Sequence, residues 1–246
     1  LLDVWAVTRT ASVSEYQQLV RAVIDDIRGR GRLPILVGGC GRYVPAAIDK
    51  LDIPGPDPVL RGGLEAELAE CGAAALHARL ARADPAAAAA ILPGNGRRIV
   101  RALEVIQLSG RPFTATLPGY ESVYPAVQLG LRLPRAEADR RIADRVSQMW
   151  QAGFVAEVRD LVGHGLREGR TASRALGYAQ VLRFLAGEWT QEQAAAETVL
   201  ATRRFARRQD AWFRRDPRIR WLAAGDPGLA GRALALLGDS GLRTSR

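Results

Sequence analysis

The chain has 246 residues, enough to bury about three quarters of its unfolded surface in a core that needs no disulfide or metal staple. Hydrophobic residues make up 48% and charged residues 25%, and no apolar run approaches the roughly 18–20 residues of a membrane span; a soluble globular protein is expected and a membrane helix is excluded. Lys and Arg outnumber Asp and Glu by 35 to 26, a net charge of +9, which favours polyanionic partners, nucleic acid first, although an arginine-rich proteome would shift any chain the same way.

The opening Leu1-Leu2-Asp3-Val4-Trp5 has no basic stretch followed by an apolar block and no initiator Met, so no secretory leader is expected and a truncated start is. Cys40 and Cys71 match neither a CxxC nor a zinc spacing, which points to a reduced, cytoplasmic protein with no metal held by cysteine. Ser12-Val13-Ser14-Glu15 reads as a capping box, and behind it Tyr16, Leu19, Val20, Val23, Ile24 and Ile27 form one apolar face of a helix ended by Gly29 and Gly31. Leu33–Val37 is then a short apolar run, expected as a buried strand of a parallel sheet, with Gly38, Gly39, Cys40 and Gly41 at its ligand-binding end. Residues 52–60 are a proline-rich joint. Beyond it 56–112 read as a helical insertion, and residues 1–55 with 113–236 as the α/β core. A strand is expected within 124–133, helices over 135–151, 153–165, 173–187 and 190–215, a last strand over 219–222, and a loose tail over 237–246.

Four segments carry candidate chemistry. Glycines at 38, 39 and 41 let a ligand approach the backbone, though an ordinary turn would use them too. Asn95 can cap a helix on which Arg97 and Arg101 stand one turn apart, with Ile99, Leu103 and Ile106 facing a core. Arginines there oppose the helix dipole, which an anionic partner would offset; a solvated face is the rival. Ser173 to Gln180 brackets Gly177 with polar groups, including Arg174 and Tyr178. Thr202 to Arg215 carries six arginines (Arg203, Arg204, Arg207, Arg208, Arg214, Arg215) beside Phe205, Gln209 and Trp212. Guanidinium groups bind phosphates and rings stack on unpaired bases, a pairing suited to single-stranded RNA, while aromatics seven apart also suit a core.

Taken in order, these segments resemble the tRNA dimethylallyltransferase family. Its GGTGLY corresponds to Gly38–Tyr43, and its P-x-D-P-x-x-R to Pro56-Asp57-Pro58 followed by Arg61. Its DP-x-AAA…RALE run corresponds to Asp84 through Glu104, its R-A-x-GY-x-Q to Arg174–Gln180, and its T-x-x-x-A-x-RQ-x-x-W-x-R to Thr202–Arg214. The resemblance implies a P-loop-type α/β fold with a helical insertion. The implied reaction moves a dimethylallyl group from dimethylallyl diphosphate to N6 of the adenine just 3′ of the tRNA anticodon, with Mg2+ neutralising the leaving diphosphate. It places Cys40, where the family has threonine, near the reacting centre, and Arg61 at the tRNA or diphosphate channel. Arg97, Arg98, Arg101, Arg174, Gly177, Tyr178, Arg207, Arg208, Gln209, Trp212 and Arg214 match tRNA-contacting stretches. A monomer acting on the anticodon stem-loop is expected, with no membrane partner.

The family's GxxxxGK[ST] loop and its Asp-Ser-x-Gln segment, whose Asp acts as general base, have no counterpart within these 246 residues, and Arg42 and Pro45 depart from the pattern. The chain by itself is therefore expected to be inactive. Two alternatives to an incomplete family enzyme stand beside it: a non-catalytic tRNA-binding remnant, and an adenylate isopentenyltransferase acting on a free nucleotide.

Overall fold

Ser12 opens α1 (Val13–Gly29) by accepting the Glu15 amide on its hydroxyl at 3.2 Å, which realises one half of the capping box. This computed structural model describes residues 1–113 and 120–240. The other helices are α2 (Tyr43–Ile48), α3 (Pro58–Ala83), α4 (Pro85–Ala90), α5 (Gly96–Ser109), α6 (Arg135–Gln151), α7 (Phe154–Gly163), α8 (Tyr178–Leu185), α9 (Gln191–Phe213) and α10 (Leu229–Asp239). Strands β1 (Gln128–Arg132) and β2 (Ile219–Ala223) pair in parallel, with Gly130 opposite Trp221. The result is a mixed α/β chain, rich in helix, with a small parallel sheet.

The chain divides into two compact units, one of residues Leu1–Ala11, Val23–Val44 and Pro125–Arg246, the other of Ser12–Ala22 and Pro45–Tyr124. In the second unit Asp57 caps α3 by accepting the Val59 and Leu60 amides at 2.9 and 3.0 Å, with Pro58 pre-set for the first turn. Asp84 repeats the device, donating its amide to Leu80 at the end of α3 and accepting the Ala87 amide at 2.9 Å to start α4. Helices α3, α4 and α5 enclose Leu64, Leu76, Leu80, Ile91, Ile99 and Leu103, all buried. Gln17 and Arg21 of α1 donate to the carbonyls of Ala46, Ala47, Asp49 and Leu51, satisfying the end of α2.

In the first unit Phe154, Val158, Leu166 and Val181 form the core, with Trp150 and Tyr178 stacked at its edge. Thr190 and Gln193 make a complete capping box at the start of α9: the Gln193 amide donates to the Thr190 hydroxyl and the Thr190 amide donates to the Gln193 side chain.

Several elements differ from the sequence reading, among them the helix expected over 173–187, which is a 3-10 turn (Ala172–Arg174) followed by α8. Residues 33–37 are not a strand, and Ile35 and Val37 are 81% and 88% exposed. A parallel strand is buried by neighbours on its edges and helices on its faces, and no strand pairs with this run among the described residues. Its apolar composition alone could not bury it. Helix α10 reaches Asp239, into the segment expected to be loose, and residues 241–246 lie outside the described residues.

Candidate functional site

In the first unit, the glycine run precedes α2 rather than closing a strand, and helix α9 holds it. Gln209 donates its side-chain amide to the Gly39 carbonyl at 2.5 Å. The Trp212 indole lies against Gly41 so closely that a Cβ there would come within 2.5 Å of the ring. Cys40, half-buried and free, sits between these two pinned residues, and its carbonyl accepts the Val44 amide that begins α2. The neighbouring Tyr43 hydroxyl has its pKa raised, by burial first and then by Cys40, so the phenol stays protonated at neutral pH. Gln209 and Trp212 are thus tied to the loop directly, a pairing that the sequence motifs placed 170 residues apart could not disclose.

The basic face of α9 is partly neutralised from within. Asp139 of α6 forms ion pairs with Arg207 at 3.8 Å and Arg203 at 3.9 Å, Glu197 lies 3.6 Å from Arg204, and Asp210 takes Arg214 at 2.7 Å. Arg208 has no ion pair among the described residues, and its guanidinium lies 5.9 Å from the Phe205 ring centre. Phe205 and Trp212 are 38% and 44% exposed, which settles the choice for this pair against a core. An exposed ring carrying an unpaired arginine can take a base and its phosphate together. Arg208→Ala should therefore weaken RNA binding about tenfold, while Arg207→Ala should change it less, because the charge of Arg207 is already partly offset by Asp139. Fluorescence anisotropy with a labelled anticodon stem-loop measures both, and equal losses would reject this ordering.

Arg174 is exposed in a short 3-10 turn (Ala172–Arg174). Gly177 begins α8 with φ of 96°, a backbone region closed to most side chains, with Phe154 packed against it and its amide donated to the Gln180 side chain. Tyr178 donates its hydroxyl to Glu157 at 2.5 Å; burial, followed by this carboxylate, pushes the phenol up to about 12. Both residues shape the α7–α8 junction that presents Arg174.

In the second unit, Arg61 of α3 and Arg101 of α5 converge on Glu104, at 2.5 and 2.8 Å. Glu104 is fully buried, also accepts the Asp57 amide at 3.1 Å, and was not singled out from sequence. The available signal was an acidic residue on the apolar stripe of Val100 and Leu103, a position tolerable only with cationic partners. Burial pushes its carboxyl pKa up, but hydrogen bonds from Arg61, Arg101 and the Asp57 amide outweigh this and hold it below the usual value. Arg97 and Arg98 in the first turn of α5 are exposed and have no ion pair among the described residues.

No group of three or more His, Cys, Asp or Glu side chains among the described residues is placed to hold a metal ion, and no described helix is long and apolar enough to cross a membrane.

The IPP transferase family profile matches residues 1–216. The tRNA dimethylallyltransferase of Thermobifida fusca is 67% identical over 96% of this chain and 74% of its own length. That of Streptomyces avermitilis is 65% identical over 91% and 72%. Among solved structures, the tRNA isopentenylpyrophosphate transferase of Bacillus halodurans aligns with a TM-score of 0.66 at 34% identity, covering 98% of this chain and 78% of that one. A eukaryotic dimethylallyltransferase acting on tRNA aligns at 0.78 with 22% identity over 95% of this chain and 63% of that one, a likeness of fold. The chain belongs to the IPP transferase family.

Proposed function

We propose that this chain supplies the tRNA-binding and adenine-presenting part of a cytoplasmic tRNA dimethylallyltransferase. The observation that carries the reading is the loop 38–41 held by Gln209 and Trp212 of an arginine-rich helix, because it joins an RNA-binding surface to the segment nearest the chemistry. In the proposed reaction N6 of an unstacked adenine bonds to C1 of dimethylallyl diphosphate, the C1–O bond breaks, and diphosphate leaves with the electron pair. The N6 proton passes to a base, the Asp that the family resemblance assigns outside these residues. The chain's own part is to bind the anticodon stem-loop, take the adenine out of its stack and exclude water from it.

The described residues do not fit a protein-held magnesium cage. An ion bound mainly by diphosphate oxygens and water matches the usual magnesium chemistry better.

The test joins a family member's phosphate-loop segment to this chain and supplies labelled dimethylallyl diphosphate with either tRNA or adenosine monophosphate. Label in tRNA alone is the expected result. Label in the free nucleotide would replace this reading with the adenylate isopentenyltransferase one, and no label in either would leave the chain a binding remnant.

A further inference from the structure

Arginines at the start of a helix are unfavourable, because the unsatisfied amides there already carry partial positive charge. Helix α5 nevertheless opens with Arg97 and Arg98 and has no acidic residue in its first turn. One turn on, Arg101 donates to Glu104 and to the Pro54 carbonyl at 2.8 Å each, so its fork is fixed in direction. Arg61 is fixed by the same carboxylate oxygen, while the other oxygen is committed to the Asp57 amide. The Arg61 and Arg101 side chains are 33% and 29% exposed and each guanidinium has donors left over, whereas the Glu104 side chain is fully buried.

A single buried carboxylate thus anchors two arginines, leaves them with a net positive charge, and belongs to the helix whose first turn carries two more arginines with no ion pair among the described residues. We infer that Glu104 is a positioning residue, holding Arg61 and Arg101 as a pre-organised clamp for a backbone phosphate of the bound RNA. The inference rests on the tRNA reading above and deepens it. A free side-chain pair would lose rotamer freedom on meeting a phosphate; a pair already held by Glu104 and Pro54 loses less. The negative charge of Glu104 is thereby used to strengthen binding to a polyanion, against its sign.

That contradiction of sign gives the test. Glu104→Gln removes a negative charge, so simple Coulomb attraction demands tighter RNA binding. The clamp demands the opposite. Binding of an anticodon stem-loop to the full chain is measured from 50 to 300 mM KCl for the parent, Glu104→Gln, Arg61→Gln/Arg101→Gln, and the triple variant. The expected result is about tenfold weaker binding by Glu104→Gln, a log–log salt slope shallower by roughly 1.4–1.8, two lost contacts at 0.7–0.9 each, and no further loss in the triple variant. Binding as tight as the parent or tighter, or full additivity in the triple variant, overturns the proposal. If circular dichroism shows Glu104→Gln unfolded, Arg61→Gln and Arg101→Gln decide singly: each should flatten the slope by roughly 0.7–0.9, and unchanged slopes overturn the clamp. Prenyl transfer plays no part in these readouts, so failure of the proposed reaction and failure of the clamp are told apart.

Discussion

Glu104→Ala should lower the unfolding free energy of the α3–α5 unit by about 3 kcal/mol, since it removes three hydrogen bonds and leaves a hole where a fully buried side chain stood. The loss falls short of the ~5 kcal/mol upper end for a broken buried pair, because Arg61 and Arg101 can both turn to water. The same carboxylate gives the unit an acid limit. Its folded pKa lies below the ordinary value, which is about 4.3 for an unfolded Glu. The folded state therefore binds this proton less readily than the unfolded state does. The contribution is complete above that unfolded value and drains away as pH falls through the folded one. Urea titrations at pH 7 and pH 3 measure both effects. The gap between parent and Glu104→Ala should narrow at pH 3, and a gap of constant size would mean that the ion pairs contribute nothing beyond packing.

What the sequence disclosed and what it hid divide along a physical line. Helix α1 was legible because its signals are local: the Ser12 cap, then apolar residues at helical spacing. The alternation around Leu129 and Leu131 likewise located β1, which pairs with β2. The run 33–37 misled because strand burial belongs to the neighbours rather than to the run itself. Phe205 and Trp212 stand seven apart, which suits a buried stripe as well as an exposed one, and only the packing of α9 distinguishes them. For the candidate site, the motifs identified residue types and their order, but the link from Gln209 to Gly39 and the convergence of Arg61 and Arg101 on Glu104 are tertiary facts. A buried carboxylate beside arginines in sequence could equally have been a surface pair.

Cys40→Thr, in the chain joined to a family member's phosphate-loop segment, should raise kcat by about tenfold to a hundredfold and alter KM less. A thiol donates and accepts hydrogen bonds weakly, whereas a hydroxyl does both well. An interaction of that kind made to the transition state is worth ~1–3 kcal/mol. The structure makes the comparison interpretable, because the loop does not depend on residue 40 for its shape. Gln209 holds the Gly39 carbonyl, Trp212 packs on Gly41, and the hydrogen bond from the Val44 amide reaches the backbone of Cys40, which every variant keeps. Thr adds one methyl group to a half-buried position, a change that such a site absorbs. Cys40→Ala keeps the backbone contacts and loses both side-chain bonds, so its kcat should fall below that of the parent. Steady-state kinetics of the three forms on one anticodon stem-loop give the order Thr above Cys above Ala in kcat. Equal kcat in all three would remove position 40 from the chemistry and leave it as part of a turn that Gln209 and Trp212 already hold in place.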